Sequence, residues 1–357
     1  METQSKFLWM DKYSPRTLSQ LTFNPLITKI LQSLSQKSDF PHIIFYGPDG
    51  SGKKTRIHAF LESLYGNGIY KMNTETKDLK INTNTIQYTI TSSNYHLELS
   101  PSDNENYDRY IISKVIKESS SVMQLDIKSQ RKFKVIVLLD CDNLTKEAQA
   151  ALRRTMEKYS KNCRIIIAVN NLSKIIPPIS SRCLSLRISS PSDKEIYDCL
   201  INIKNMEKLN ISNEQIQLII KNCERNVRMG INCLQLSSIE NYSKNIFIPE
   251  YLISIKEICK KIKDDQSANS LKLIRGFVMN LLVNGISGDI IILNIAKEMI
   301  KLQNNESRKR EIIKWSAFYD NRTQNGSKDL FHIEALIAKL MYIQAKIDYF
   351  FFYFFKF

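Results

Sequence analysis

The sequence predicts an α/β domain built on a parallel sheet, followed by a small helical domain and a larger all-helical one. Three observations predict it. Runs that stay apolar on both faces, HIIFYG (42–47), KVIVLLD (134–140) and CRIIIAVN (163–170), alternate with helical patterns in the first half. That is the signature of central parallel strands covered by helices. The first run opens into GPDGSGKKT (47–55), where Gly47, Gly52 and Lys53 complete the frame G-x-x-x-x-G-K of a phosphate-binding loop. After ISSPS (188–192) the strand patterns stop and helical periodicity takes over.

The elements follow in order. KKTRIHAFLESLYG reads as a helix running from the loop to Gly66. YTITSS (88–93) and CLSLRI (183–188) alternate, which suits more exposed strands. LTKEAQAALRRTMEKY is helical, with Thr145 as its N-cap and Glu147 in its first turn. Ser192 with Glu195, and Ser212 with Gln215, have the spacing of capping boxes, and three short helices fit in 192–240. NYSKNIFIPE (241–250) reads as a linker with Pro249 near a helix start, and 250–355 is helical throughout. Gly276, Gly285 and Gly288 are assigned to helix ends. The expected domains are 1–190, 191–242 and 243–357.

Composition narrows the class. The 357 residues exceed one ordinary core, and 43% hydrophobic with 24% charged residues is the balance of a folded chain. A net charge of +15 favours a polyanionic partner, nucleic acid before membrane. A coding bias toward Ile, Lys and Asn is the alternative source of that surplus. Seven scattered cysteines, without a C-x-x-C pair, suggest a reducing compartment with neither a disulfide framework nor a zinc site. METQSKFLWMDKYSP lacks the apolar stretch of a secretory signal, and no apolar run has the length of a membrane span.

A phosphate loop works because glycines let backbone N–H groups close on phosphate oxygens, while a Lys neutralises charge between the β- and γ-phosphates. Hydrolysis needs more: a loop Ser or Thr and a carboxylate at the end of a second strand to hold Mg²⁺, and an acid to orient water. Here position 54 is Lys, and an ammonium has no acceptor for a metal. Thr55 lies one residue on, about 100° around the helix. The second strand, VIVLLDCDNLT, carries Asp140 and Asp142 but no adjacent acidic pair. Without further context these two read equally as strand-end and helix-cap acids.

LWMDKYSP, FPHIIFYGPDGSGKKTR, LTKEAQAALRRTMEKY and NNLSKIIPPISSRC together resemble the small subunits of replication factor C, the eukaryotic AAA+ loader of the sliding clamp. The resemblance covers most of the chain and is strongest to the subunit type with a GKKT loop and a degenerate second strand. It implies a P-loop AAA+ domain with a parallel sheet and helices on both faces, a helical lid and a helical collar. In the family the second strand ends D-E-A-D before S-M-T. Counting back from Thr145, the family's Mg²⁺-binding Asp falls at Leu139, its catalytic Glu at Asp140, its Ala at Cys141 and its second Asp at Asp142; Phe133 and Lys134 fix the same register. Both direct metal ligands are thus replaced, at Lys54 and Leu139.

The resemblance implies further assignments. Gly47, Gly50, Gly52, Lys53, Lys54 and Thr55 form the loop. Tyr13 and Pro15 line the adenine pocket, although Ser14 stands where the family has Arg. Asn170 is the first sensor and Arg228, in RNVRMG, the second. Arg182 in S-R-C reaches a neighbouring subunit's nucleotide as a trans arginine finger. Arg109 and Lys114, in SPSDNENYDRYIISKVIKE (100–118), are the DNA-contact candidates, and one of Arg153 and Arg154 faces an interface. The expected cofactor is ATP or ADP, bound without a requirement for Mg²⁺ and turned over poorly or not at all, with Lys54 able to stand in for the metal's charge. Expected partners are other replication factor C subunits, the sliding clamp and primed DNA, with no membrane, in DNA replication and repair in the nucleus. The tail IDYFFFYFFKF departs from the family and is assigned to packing in the collar or on a partner. Two other readings stay open: an autonomous AAA+ ATPase, which the intact Gly47–Lys53 frame supports, and a DNA-binding scaffold without nucleotide. Nucleotide binding and turnover discriminate all three.

Overall fold

The computed structural model describes residues 8–81, 84–101, 107–121, 133–239, 249–326 and 328–354. Tertiary contacts divide the chain into two units, 1–247 and 248–357.

In the first unit, β1 (His42–Tyr46), β2 (Asn73–Ile81), β3 (Asn84–Ser92), β4 (His96–Leu99), β5 (Lys134–Leu138), β6 (Cys163–Val169) and β7 (Cys183–Arg187) form one sheet in the order β2-β3-β4-β5-β6-β1-β7. From β4 to β7 the pairings are parallel, while β3 is antiparallel to both β2 and β4. Ile43, Ile44 and Phe45 of β1 are fully buried. Successive side chains of a strand face opposite sides, so this strand must be covered on both. Each such residue contributes about 1.5–3 kcal/mol by leaving water.

Helices supply that cover. Ile43 and Phe45 pack with Leu31 of α2 (Pro25–Ser35) and with Ile57 and Phe60 of α3 (Lys53–Tyr65). Ile44 lies on the other face, with Ile111 and Ile112 of α4 (Asp108–Ser121) and Leu152 of α5 (Lys146–Lys158). The expected cap of α5 is present: Thr145 Oγ1 accepts from the Ala148 N–H at 3.2 Å. The same threonine donates its hydroxyl and its N–H to buried Asp108, at 3.1 and 2.8 Å. Thr145→Ala removes the cap and one donor to a buried carboxylate, so it should cost about 1–2 kcal/mol. A lowered denaturant midpoint with an unchanged slope checks this.

Gln149 links α5 to the next connection. It is 2% exposed, donates to the Leu144 and Lys174 carbonyls and accepts from the Ile176 N–H. That connection leads into α6 (Pro177–Ser180) and then Arg182. Before β1 lies the short α1 (Trp9–Lys12), whose Trp9 packs in a core formed by α7 (Asp193–Met206), α8 (Asn213–Asn222) and α9 (Val227–Ile239). Both capping boxes form, at Ser192 with Glu195 and at Ser212 with Gln215. Most of the expected linker, including its boundary at 242, lies outside the described residues.

The second unit has α10 (Glu250–Asp264), α11 (Ala268–Val283), α12 (Gly288–Leu302), α13 (Glu306–Asn325) and α14 (Asp329–Phe354) around an aliphatic core that includes Ile255, Ile274, Ile295 and Leu336. Pro249 stands at the N-cap of α10, as expected. Gly285 follows α11 in a left-handed conformation (φ 82°), and Gly288 opens α12. Gly276 corrects its assignment: it lies inside α11, where tertiary packing of the flanking apolar residues carries the helix through it. The tail's side chains lie outside the described residues. Among those described, no helix is long and apolar enough to cross a membrane.

Two strands escaped the sequence reading. The polar run NTETKDLKI of β2 is exposed from Asn73 to Asp78 and has no apolar period to reveal it. It is held by pairing with β3 along its whole length, from Asn73 opposite Ser92 to Ile81 opposite Asn84. β4 is only four residues long, and its His96 and Glu98 are buried although they are polar, so its pattern does not read as a buried strand.

Candidate functional site

The phosphate loop links β1 to α3 at the end of the sheet where the parallel strands finish. Gly47 has no room for a side chain: a Cβ there would lie 1.9 Å from the Ile188 carbonyl oxygen. At Gly50 (φ 70°) a Cβ would fall 1.9 Å from Asn226 Oδ1, a side-chain atom ahead of α9, and the left-handed backbone favours glycine. Gly52 (φ 85°) is the N-cap of α3, so the positive end of that helix faces the loop. Ser51 Oγ is buried and has no hydrogen-bond partner. These features fit a loop shaped for a phosphate group.

Lys53 Nζ is held by three acceptors, the carbonyls of Gly47 (2.8 Å) and Pro48 (3.0 Å) and Asn170 Oδ1 (2.6 Å). Burial lowers its pKa, against the opposing charges of Asp49, Asp142 and Asp140. Asn170 is itself fixed, since Asp142 accepts from the N–H groups of Asn170 and Asn171 at 2.5 and 2.8 Å. Asp142 therefore fixes the backbone at Asn170, whose side chain accepts from Lys53. Arg228 donates to both carboxylate oxygens of Asp49, at 3.1 and 3.3 Å, bringing α9 to the loop. Tyr13 and Lys12 both donate to Glu207, and Gln235 accepts from the Trp9 N–H, so the segment carrying Tyr13 and Pro15 is tied to the helical lid. Thr55 is half-buried one position along α3.

The metal ligands do not assemble. Lys54 Nζ points to Glu98 Oε2 at 3.3 Å, and Leu139 is a half-buried apolar side chain packed against the core that contains Ile43 and Phe45. Asp140 stands exposed in a left-handed conformation (φ 50°), capping a short 3-10 turn (Cys141–Asn143). Among the described residues no group of three or more His, Cys, Asp and Glu is arranged to hold a metal ion. A Mg²⁺ site of the loop-hydroxyl and strand-carboxylate kind does not fit this chain. The described cysteines are free, and burial raises their thiol pKa values, Cys183 to about 12.

The other candidates sit apart. Arg182 Nη2 is 2.8 Å from Glu157 Oε1, and Nη1 donates to the Pro178 carbonyl at 2.8 Å. Glu157 also meets Arg153 Nε at 3.3 Å; hydrogen bonding from Arg153, then the charge of Arg182, lowers its pKa. Arg109 and Lys114 of α4 do not converge. Arg109 reaches Glu147 on α5 at 3.3 Å, while Lys114 donates to the Asp78 carbonyl of β2.

Sequence reasoning missed Glu98 and its partners His58 and His96, and also Asp49 and Glu157. Glu98 gave one local signal, an acid that alternates with leucine in HLEL. The others pair with residues distant in sequence or sit on an exposed helix face, where a charge carries no signature.

A glycine loop between β1 and α3, a parallel sheet with helices on both faces and a lid touching the loop together define a P-loop AAA+ module. A variant of Thermotoga maritima RuvB has the same fold, at 14% identity and a TM-score of 0.50 over 77% of this chain and 87% of that one. Residues 251–348 match the family described as replication factor C subunit 3, C-terminal domain, and residues 23–192 that described as DNA polymerase III, delta subunit. The chain is 38% identical to replication factor C subunit 5 of Neurospora crassa over 94% of its length and 97% of the relative. It is 37% identical to subunit 5 of Saccharomyces cerevisiae (94% and 98%) and 38% to subunit 3 of Homo sapiens (95% and 96%). The chain belongs to the replication factor C family, among the relatives named subunit 3 or subunit 5.

Proposed function

We propose that this chain is a nucleotide-binding, non-hydrolysing subunit of a replication factor C clamp loader, which helps place a sliding clamp on primed DNA in replication and repair in the nucleus. It works in a hetero-oligomer with other replication factor C subunits. Residues 1–190 hold the nucleotide, 191–242 form the lid and 243–357 the collar that joins neighbours. ATP or ADP lies on Gly47–Thr55, with Lys53, Asn170 and Arg228 at the phosphates and Tyr13 and Pro15 at the base. Arg109 and Lys114 face DNA phosphates. Arg182 acts on the nucleotide of the adjacent subunit.

The observation that carries this reading is the paired loss of metal ligands beside an intact loop. Gly47, Gly50, Gly52 and Lys53 supply the loop residues that phosphate binding uses, whereas Lys54 is engaged with Glu98 and Leu139 is a half-buried apolar side chain. Binding can persist without a metal; efficient γ-phosphate transfer to water cannot.

Titration of the purified full chain with ATP and ADP, with Mg²⁺ or with EDTA, tests the proposal. The expected result is saturable binding in both buffers, with affinities within about threefold of each other, a difference below 1 kcal/mol, and no steady-state phosphate release. Rapid turnover by the isolated chain would establish an autonomous ATPase instead. Absence of binding would leave a scaffold.

A further inference from the structure

Glu98 is 5% exposed, yet it is a carboxylate. A buried carboxylate is stable only where fixed donors or cations surround it. Two groups do so here, and a third lies nearby. His58 Nε2 lies 2.5 Å from Oε1, His96 Nε2 3.6 Å from the same oxygen and Lys54 Nζ 3.3 Å from Oε2. Lys54 and His58 are four apart on α3, so one helix face delivers both. His96 shares β4 with Glu98, and its Nδ1 is 2.7 Å from Ser93 Oγ. Burial would raise the Glu98 pKa, but the hydrogen bond with His58, the neighbouring His96 ring and the charge of Lys54 outweigh it and hold the group below the usual carboxylate range.

The location gives the cluster its meaning. Glu98 is the partner of Val137 across the sheet, and the Leu139 N–H donates to the neighbouring Leu99 carbonyl at 2.9 Å. The carboxylate therefore lies on the strand beside β5, two residues short of the row of Leu139, where Lys54 and His58 of α3 reach it. An ordinary site has a hydroxyl at position 54 and a carboxylate at position 139. This one has an ammonium at 54 and its counter-ion one strand over. The ammonium is half exposed, at 54%, while its carboxylate is buried. One N–H engages Glu98, which leaves two donors for phosphate oxygens.

We propose that the Lys54–Glu98 pair is a built-in replacement for the divalent cation, with Glu98 the positioning residue that holds the Lys54 ammonium beside the phosphate loop. Nucleotide binding is metal-independent because the cation is part of the chain. The inference rests on the nucleotide-binding reading above and deepens it.

A double-mutant cycle in EDTA tests it, using a fluorescent ADP as probe on the full chain with Lys54→Met, Glu98→Gln and the double variant. Lys54→Met removes the cation and should weaken binding about tenfold or more, the loss of one charge-assisted hydrogen bond. Glu98→Gln frees the ammonium and should weaken it about three- to tenfold, a smaller share of the same contact. The double variant should bind no worse than Lys54→Met alone, because the glutamate acts only through the lysine. Glu98→Asp should recover part of the loss. Additive effects, or Glu98→Gln binding like the unaltered chain, overturn the positioning role even if the unfolding midpoint falls. Should Glu98→Gln fail to fold, the surface change Lys54→Met still decides: unchanged affinity in EDTA refutes the built-in cation. An unaltered chain that binds only with Mg²⁺ refutes metal independence, and one that binds no nucleotide removes the reading beneath it.

Discussion

Arg182→Ala in the assembled complex is expected to lower ATP turnover at the adjoining subunit's site by about 10³-fold, the scale of a trans arginine in phosphoryl transfer. A guanidinium stays charged and presents a fixed fork of donors to the charge that builds on the γ-phosphoryl oxygens. In the isolated chain that fork is occupied by Glu157 and the Pro178 carbonyl. The ion pair is 38% and 45% exposed on its two sides, so it contributes about 0–1 kcal/mol and yields readily to a phosphate. Stability of the chain should therefore barely change while the catalytic step is lost. DNA-stimulated turnover of the reconstituted complex is the measurement, and unchanged turnover would reject the trans role. Arg182→Lys keeps the charge but loses the planar fork, so it should restore only part of the rate.

Gly47→Ala is expected to damage the fold itself. The new Cβ would lie 1.9 Å from the Ile188 carbonyl oxygen, a backbone atom that no side-chain rotation can move. The Ile188 N–H bonds to the Tyr46 carbonyl at 2.7 Å, so relief of the clash must part β1 from the chain leaving β7. Forcing even a methyl into packed structure costs about 1–3 kcal/mol, and a backbone displacement lies at the upper end. For a unit of this size each kcal/mol lowers the melting temperature by about 2–4 °C, so a fall of about 6–12 °C is expected. Gly52→Ala is the comparison, since nothing lies within 4 Å of a Cβ there and only the left-handed conformation resists it. Equal melting temperatures for the two variants would show that the close approach at Gly47 costs no more than the left-handed conformation at Gly52.

The legible parts of the fold were those fixed by local rules. β1, β5 and β6 announced themselves as apolar runs because both their faces are buried. Thr145, Ser192 and Ser212 announced helix starts because a capping oxygen bonds within three residues of itself. The loop was legible for the same reason. What escaped depends on contacts between distant segments. Arg228 and Asp49 are 179 positions apart, and Lys54 meets Glu98 across the gap between a helix and a strand. Sequence reading recognised Lys54 as a missing hydroxyl, but only the packing of α3 against β4 supplies its counter-ion. Gly276 was misplaced because glycine reads as punctuation, although a helix whose Ile274, Val278 and Leu281 are buried can absorb the ~1 kcal/mol it costs.

The strand hardest to see also has a consequence of its own. β2 is an outer strand of the seven-stranded sheet, and an unpaired outer strand is a template on which another chain can add. Its exposed side chains include Glu75, Lys77, Asp78 and Lys80, so a second copy laid against it would have to bring charges together in an awkward register. The polarity that hid this strand from pattern reading thus acts as a guard against self-assembly into extended sheets, and substituting those four positions with valine should raise the aggregated fraction measured by light scattering.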